Sequence, residues 1–358
     1  MNDKINDGTN CPIRILVTNS KAPTFLGVLY SLKQGLDCTV IATSKIFDEV
    51  SSSLADEYVC LDSESSVDHV VQVLKICTEK KIKVIIPLSI DERILLLKEK
   101  NKFDEINVKI LSSSIESIEK GENKVLLFEL SKENGLPTPE FYVVDNWDEL
   151  KENVFKLGYP NKKVVVKPVN SCGSRGMRIL NKRAEYKKLF YKERADYTEI
   201  TMTDLKNIIG KKFLPLILCE HLPGEEYTVD CLRMDNHNYA FPRVRVKVKE
   251  GLTSVGEMRE DKEIIKYSKQ LAELLNLTTV FGFQFKFNSE GVPVIIDCNP
   301  RIQGTMVMST LANVNIIAEG VRLLLGQKHI PLVPEWGMRY HRFYSGLSVG
   351  KEKKIINF

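Results

Sequence analysis

Short apolar runs alternate with amphipathic segments along residues 1–112. Runs such as Ile13 to Thr18 (IRILVT) and Lys83 to Pro87 (KVIIP) are short and rich in β-branched residues, which is typical of strands buried in a parallel sheet. The segments between them carry apolar residues at helical spacing. We therefore predict a parallel sheet covered by helices. Its strands are predicted at residues 13–18, 38–43, 58–61, 83–87 and 108–111, and its helices at 24–34, 67–80 and 91–99.

This first unit resembles half of a Rossmann fold, and we predict a Rossmann-like domain there. The turn after its first strand has the sequence TNSKAPTFLG. That turn lacks the glycine spacing of a dinucleotide-binding fingerprint. The sequence therefore gives no reason to expect NAD in this domain.

The pattern changes near Ser113, where strand-rich sequence begins. A helix is predicted at residues 122–134, because Gly135 and Pro137 would stop it. Strands with a period of two then mix with helices, so we predict an α+β arrangement over residues 113–358. Its strands are predicted at 163–168, 214–219, 227–232 and 243–248, a hairpin at 280–298, and further helices at 262–275 and 316–325.

Length and charge restrict the class of protein. The chain has 358 residues, enough for two or three domains, and its 43% hydrophobic and 27% charged residues are those of an ordinary folded protein. Lys and Arg number 51 against 47 Asp and Glu, a net charge of +4. Such a balance is too small for a dedicated nucleic-acid binder, so we expect no nucleic-acid partner.

Cysteine spacing and hydropathy predict the compartment. The eight cysteines are scattered, with no CxxC pair and no Cys/His spacing suited to zinc, so a reducing cytoplasm fits best. No stretch approaches 18 uninterrupted apolar residues, and the first residues, MNDKINDGTNC, lack the apolar core of a secretion signal. We therefore expect a cytoplasmic protein with no membrane partner.

The predicted hairpin carries the most informative polar residues. Its two strands are joined by NSEG, and if Phe287 faces Val292, the polar and the aromatic residues fall on opposite faces. The polar face would hold Gln284, Lys286, Ile295, Asp297 and Asn299, and the other Phe281, Phe283, Phe285 and Phe287. Oxygen-bearing side chains that converge in this way could bind Mg²⁺ together with phosphate oxygens. The alternative is a polar face exposed to water.

A second candidate is the segment KPVNSCGSRGM, in which a strand delivers Lys167 into a loop of small residues. Those small residues are Ser171, Gly173, Ser174 and Gly176. Small side chains let backbone N–H groups approach phosphate oxygens. Taken alone, the segment could also be an ordinary hairpin connection.

Two further segments are ambiguous when taken alone. In the segment LILCEHLPGEEYTVD, an apolar strand leads to Glu220, and a Pro-Gly turn then leads to Glu226. This arrangement could contact the adenine and the ribose of a nucleotide. Alternatively, it could be a plain connection between two strands. Four cationic residues alternate with valines on a later strand, and we expect them to share one face that is covered by water or by an anion. They are Arg243, Arg245, Lys247 and Lys249.

Taken in order, these segments resemble the ATP-grasp proteins, and within them the branch that contains the carbamoyl-phosphate synthase large chain. The metal-binding pattern of that branch is Gln on one strand and Glu-x-Asn-Pro-Arg on the next. It is matched here by Gln284, Asp297, Asn299, Pro300 and Arg301. Because Asp297 replaces the usual Glu, the number of Mg²⁺ ions, one or two, stays open.

The resemblance covers nearly the whole chain and implies its domain organisation. The Rossmann-like domain of residues 1–112 would precede a two-lobed ATP-grasp domain of residues 113–358. Its small lobe would span about 124–222 and its C-terminal lobe about 223–358. A homodimer would be common for such a protein.

The resemblance also implies roles for individual residues. Lys124 and Lys167 would reach the nucleotide phosphates, and Arg301 would lie beside the transferred phosphoryl group. Residues 171–177 would form a flexible lid over the phosphates. The adenine-binding linker and the ribose carboxylate would come from Glu220, His221, Leu222 and Glu226.

The activity implied by the resemblance is that of an ATP- and Mg²⁺-dependent ligase. It would convert a carboxylate into an acyl phosphate, which an amine, such as that of an amino acid or peptide-like acceptor, would then attack. Arg243 and Arg245 could bind the substrate carboxylate. The alternatives are a non-catalytic ATP-binding regulatory module and a phosphotransferase that acts on a carbamate-like substrate.

Overall fold

The computed structural model describes residues 11–62, 66–169, 176–182, 198–249, 251–343, 345–349 and 354–355. Its first part alternates strands and helices, as predicted. The strands are β1 (Ile13–Thr18), β2 (Cys38–Ser44), β3 (Glu57–Cys60), β4 (Val84–Pro87) and β5 (Lys109–Ile110). The helices are α1 (Phe25–Gly35), α2 (Glu49–Leu54), α3 (Ser66–Glu79), α4 (Ile90–Lys98), α5 (Lys100–Glu105) and α6 (Ile115–Glu122).

The first sheet is parallel throughout and has the strand order β3-β2-β1-β4-β5. Along β1, Ile15 and Val17 contribute to one apolar cluster and Leu16 to another, so both faces of the sheet are covered. Burial on both faces explains why these strands read as continuous apolar runs. The α/β character predicted for this part is confirmed.

One predicted helix begins later than expected. The sequence predicted a helix at residues 122–134, whereas α6 ends at Glu122 and α7 (Lys124–Glu133) starts afterwards. Between them, the side chain of Asn123 accepts hydrogen bonds from the backbone N–H groups of Val125 and Leu126. This cap starts a new helix, since Asn at that position satisfies N–H groups that lack a partner within the helix.

A second, mixed sheet has the order β6-β10-β7-β8-β9. Its strands are β6 (Phe141–Asn146), β7 (Val164–Pro168), β8 (Arg178–Leu180), β9 (Glu199–Ile200) and β10 (Lys212–Glu220). Besides α7, the helices described beside it are α8 (Trp147–Lys156) and α9 (Met202–Ile209). Side chains of α8, such as Leu150 and Val154, pack with β7 and β10 in one apolar cluster.

The third sheet has the order β15-β14-β11-β12-β13-β16. Its strands are β11 (Glu226–Met234), β12 (His237–Lys249), β13 (Leu252–Met258), β14 (Thr279–Phe287), β15 (Pro293–Asn299) and β16 (Arg339–His341). The helices of this part are α10 (Lys262–Leu274), α11 (Val307–Leu311) and α12 (Ile316–Leu324). A separate two-stranded sheet pairs β17 (Leu347–Ser348) with β18 (Lys354–Ile355). The predicted α+β character of this part is therefore also confirmed.

The described residues form two compact units. The first combines residues 1–119, 227–283 and 299–358, and the second combines residues 120–226 and 284–298. In the first unit, α1 packs against α12, and Asn315 Nδ2 donates a hydrogen bond to the backbone oxygen of Ser31 (2.6 Å). None of the described helices is long and apolar enough to cross a membrane.

Candidate active site

Lys124 is the most buried lysine among the predicted site residues. It is the first residue of α7, and only 6% of its surface is exposed. Its Nζ lies 3.1 Å from Oδ1 of Asp297 on β15. A buried ammonium group needs such a partner, because removing a charge from water is costly unless an opposite charge compensates it.

Lys167 approaches the same strand from β7. Its Nζ donates a hydrogen bond to the backbone oxygen of Ile296 (3.3 Å) and lies 5.5 Å from the ring centre of Phe128. Both predicted phosphate-binding lysines therefore contact consecutive residues of β15. The second unit thus brings together two cations and a carboxylate from three segments that are far apart in the sequence.

The polar side chains of the hairpin strands are the less buried ones. Gln284 is half-buried between buried Phe283 and Phe285, and Asp297 and Asn299 are half-buried on either side of buried Cys298. Oxygen-bearing groups therefore remain accessible at these positions. The metal-binding roles of Gln284, Asp297 and Asn299 stay predictions.

The loop of the hairpin is one residue shorter than predicted. The sequence placed Phe287 opposite Val292, but the backbone N–H of Asn288 donates to the oxygen of Val292 (3.0 Å). The loop is tighter because Gly291 adopts a positive φ of 77°, which glycine allows without strain. The side chain of Asn288 also accepts from the N–H of Val292, and this closes the turn.

Most of the predicted phosphate-binding loop lies outside the described residues, namely Ser171, Gly173 and Ser174. Gly176 is described and has a φ of +74°. A Cβ atom at this position would lie 2.8 Å from Cγ of Pro168, which follows Lys167 on β7. Only glycine therefore allows the chain to pass this close to the end of β7.

The predicted adenine-binding linker is held by backbone contacts within the second unit. The side chain of Glu220 accepts a hydrogen bond from the N–H of Glu140 (3.1 Å), so this carboxylate already has a structural role. Leu222 is buried, and Glu226 is half-buried at the start of β11. Burial lowers the pKa of His221, and nearby Lys286 and Lys163 lower it further.

Arg243 does not lie on an open cationic face as predicted. It is 1% exposed, and its guanidinium donates two hydrogen bonds to Asp230 (2.8 and 3.0 Å), which is fully buried. It also donates to Thr305 Oγ1 (2.7 Å) and Gln303 Oε1 (3.4 Å). Arg243 therefore ties the segment after β15 to the interior of the first unit.

The predicted two-faced pattern fails along the rest of β12 as well. Arg245 pairs with Gly256 and Lys247 with Val255, so one extra residue, Val246, is inserted and is largely exposed. The register shifts again between Lys247 and Val248, so the regular alternation of the two faces is interrupted along this stretch. Arg245 itself donates to Thr253 Oγ1 (3.1 Å) on the neighbouring strand.

Arg301 follows β15 within the N-P-R segment. Its backbone N–H donates to the oxygen of Asn299 (2.7 Å), and its Nη1 donates to the oxygen of Ile302 (3.1 Å). The side chain is half-buried. Its role beside a phosphoryl group stays a prediction.

Sequence reasoning missed Arg93, a buried residue of α4. Its Nη2 donates to the backbone oxygen of Pro87 (2.7 Å), and its Nη1 donates to that of Pro300. Arg93 therefore fixes the N-P-R segment to the end of β4 within the first unit. The signal in the sequence was an arginine at a core-facing position of an otherwise apolar helix segment, ERILLL.

Two cysteines near the candidate site are expected to be chemically inert. Burial raises the pKa of Cys219 to about 11 and raises that of Cys298 well above its usual range. Both therefore remain neutral thiols at neutral pH, and the thiolate is the nucleophilic form. We expect iodoacetamide to modify the exposed Cys11 and Cys60 of the native protein but not Cys219 or Cys298, as read by peptide mass spectrometry.

The control for this experiment is the same labelling in denaturant, where both buried cysteines should react. Rapid labelling of Cys219 or Cys298 in the native protein would contradict the prediction.

Comparison with known proteins agrees with this architecture. Residues 212–343 match the family model described as ATP-grasp in the biosynthetic pathway with Ter operon. The chain is 26% identical over 239 residues to the carbamoyl phosphate synthase large chain of Clostridium acetobutylicum, an alignment that covers 63% of this chain and 21% of that protein. The chain thus matches about a fifth of the length of this relative.

Two solved structures share the fold. The biotin carboxylase domain dimer of Hydrogenobacter thermophilus 2-oxoglutarate carboxylase, in complex with MgADP, ADP and bicarbonate, aligns with a TM-score of 0.65 and 16% identity over 92% of this chain and 74% of that chain. An L-amino acid ligase from Bacillus licheniformis aligns with a TM-score of 0.60 and 16% identity over 90% and 76%.

The matches to solved structures show the fold. The chain has the ATP-grasp fold, and its residues 212–343 match an ATP-grasp family model. The predicted resemblance to ATP-grasp proteins, and to the carbamoyl-phosphate synthase large chain among them, is confirmed.

Proposed function

We propose that this protein is an ATP- and Mg²⁺-dependent, ADP-forming ligase that joins a carboxylate to an amine. The observation that supports it most is the convergence of Lys124 and Lys167 on Asp297 and Ile296, two consecutive residues of β15. Two lysines beside an acidic residue suit a triphosphate and its metal ion. The names of the similar solved structures, one an L-amino acid ligase and one bound to MgADP, agree with this activity.

The reaction would proceed in two displacements. A carboxylate oxygen of the substrate attacks the γ-phosphorus of ATP, the bond to the β-phosphate oxygen breaks, and ADP leaves. The amine then attacks the acyl carbon and loses a proton, and inorganic phosphate leaves. Lys124 and Lys167 would neutralise the phosphates so that two anions can approach each other.

The donor set fits Mg²⁺. Gln284, Asp297 and Asn299 offer one carboxylate and two amide oxygens, and Mg²⁺ in phosphate-transfer sites binds one or two carboxylates and takes other ligands from phosphates and water. Within the described part of the chain, no group of three His, Cys, Asp or Glu side chains could hold a metal. Bound Mg²⁺ would neutralise charge on the phosphates.

Other predicted residues keep supporting roles in this proposal. Residues 171–177 would cover the phosphates, the segment from Glu220 to Leu222 would contact the adenine, and Glu226 the ribose. Arg301 would stabilise the transferred phosphoryl group, and Arg245 the substrate carboxylate. We assign Arg243 to positioning rather than to substrate contact, because its guanidinium is committed to Asp230. A cytoplasmic homodimer that acts on small molecules completes the proposal.

The test is a screen of amino-acid pairs for release of ADP and inorganic phosphate by the full-length protein. We expect some pairs to stimulate release of both products in equal amounts. Lys167→Ala should abolish this release, because the phosphates would lose a direct cationic contact. The matched control is Lys162→Ala, which removes an exposed lysine just before the same strand and should leave the rate unchanged.

The alternatives predict different results. ADP without free phosphate would indicate a phosphotransferase. No stimulation by any carboxylate and amine, with nucleotide still bound, would indicate a regulatory module and would overturn the proposal.

A further inference from the structure

The first unit contains a cavity of about 470 Å³ that the proposed ligase reaction does not use. Four of its lining residues lie at or just after the carboxyl ends of four strands of the first sheet: Asn19 after β1, Ser44 at the end of β2, Leu61 after β3 and Ser89 after β4. The cavity therefore lies at the carboxyl ends of the parallel strands. Strand order reverses there, because β2 and β3 lie on one side of β1 and β4 and β5 on the other. In open α/β sheets, small ligands bind at this position.

The lining of the cavity contains more cationic than anionic side chains. Lys21, Lys45 and Lys98 line it with exposed side chains, and none of them forms an ion pair with a described residue. Two acidic residues, Asp91 and Glu92, also line it. Three ammonium groups against two carboxylates leave an excess of positive charge for an anionic ligand.

One of those two carboxylates already has hydrogen-bond donors. Oε2 of Glu92 accepts from Thr18 Oγ1 (2.6 Å), and Oε1 lies 2.7 Å from Nε2 of His69. Both side chains of the His69–Glu92 pair are nearly buried. The Glu92 carboxylate is therefore less available for direct contact with the lysines. The His69–Glu92 pair forms a polar part of the cavity lining whose side chains are held in place by these contacts.

Two helices begin at this cavity and add to its positive potential. Ser89 caps α4 by accepting from the N–H of Glu92, and Ser66 is the first residue of α3; both serines line the cavity. Helix N-termini carry a partial positive charge and offer N–H groups to phosphates. The lining residues include lysines but no arginine among those described. Lysine is a common phosphate ligand, and it binds phosphate as a point charge.

We propose that this cavity binds a small phosphate monoester. Its phosphate would contact Lys45 and Lys98, the last residue of α4, and its organic part would pack against apolar residues of the lining such as Leu61 and Ile94. The volume suits a small-molecule ligand. The lining residues all lie between positions 19 and 98, and none is assigned a role in nucleotide or metal binding.

The experiment is calorimetric titration of the full-length protein with phenyl phosphate, inorganic phosphate and benzoate. Phenyl phosphate should bind most tightly, because it alone combines the phosphate with an apolar group. The double variant Lys45→Gln/Lys98→Gln should weaken its binding at least about tenfold, since charged hydrogen bonds to the phosphate are lost. The matched control, Lys75→Gln/Lys102→Gln, removes two exposed lysines of the same unit that lie outside the cavity and should leave binding unchanged.

A second arm separates this site from the proposed nucleotide site. Lys167→Ala should retain full affinity for phenyl phosphate. The proposal is overturned if benzoate or inorganic phosphate binds as tightly as phenyl phosphate, if the Lys45→Gln/Lys98→Gln variant binds like the native protein, if Lys167→Ala abolishes binding, or if phenyl phosphate shows no binding below about 1 mM.

Discussion

Replacing Asp297 by asparagine is expected to slow ATP turnover at least about a hundredfold while the fold is retained. The substitution keeps the shape of the side chain and removes its charge. Lys124 then loses the carboxylate 3.1 Å from its Nζ, and the proposed Mg²⁺ ion loses its only carboxylate among Gln284, Asp297 and Asn299. The measurement is ADP release with the best amino-acid pair, together with circular dichroism of the variant.

Glu290→Gln is the matched control for this variant. Glu290 lies in the turn of the same hairpin, is exposed and loses the same charge on substitution. It should leave the rate within about twofold of the native value. If Asp297→Asn turned over ATP as fast as Glu290→Gln, the proposed role of Asp297 would be wrong.

Removing the carboxylate of Asp230 is expected to lower the free energy of unfolding by about 3 to 5 kcal/mol. Asp230 is 0% exposed and Arg243 is 1% exposed, so Asp230→Ala leaves a buried guanidinium without its counter-ion. Urea denaturation followed by tryptophan fluorescence measures the loss. Asp230→Leu combined with Arg243→Met should recover much of it, because apolar replacement removes both charges at once.

The control is Arg339→Ala, which breaks an ion pair with Glu257. The Arg339 side chain is 73% exposed, so the expected loss is below about 1 kcal/mol. The single variant Arg243→Met separates two roles of Arg243. If Arg243→Met abolished turnover with unchanged stability, Arg243 would contact the substrate and its assignment to positioning would be wrong.

The strands of the first sheet could be predicted well because both of their faces are buried. The predicted bounds of the first strand are those of β1, and those of the fourth differ from β4 by one residue. Helices α2 and α5 were missed, because six residues are too few to show a helical period. The cap at Asn123 was also missed, since its effect depends on side-chain hydrogen bonds rather than on periodicity.

The residues of the candidate site could be predicted, but the side chains and backbone groups that they contact could not. Family resemblance indicated Lys124, Lys167 and Asp297, yet their contacts depend on how α7, β7 and β15 meet. The environment of Arg243 was predicted wrongly, because the alternation of residues along one strand gives no information about the residues of the neighbouring strand. The signal was present in the sequence: Asp230 is the one acid within the apolar run YTVDCL of β11.

The two faces of the first sheet become covered at different times during protein synthesis. One face is covered by residues between positions 16 and 110, so it can close soon after that stretch has left the ribosome. The apolar cluster on the other face contains residues of α1, such as Phe25 and Leu32, and residues near the opposite end of the chain, including Ile316 and Val321 of α12. The part of this cluster that α12 covers is completed only after about 200 further residues have been translated. During that interval the nascent chain exposes the kind of surface that chaperones recognise and that promotes aggregation.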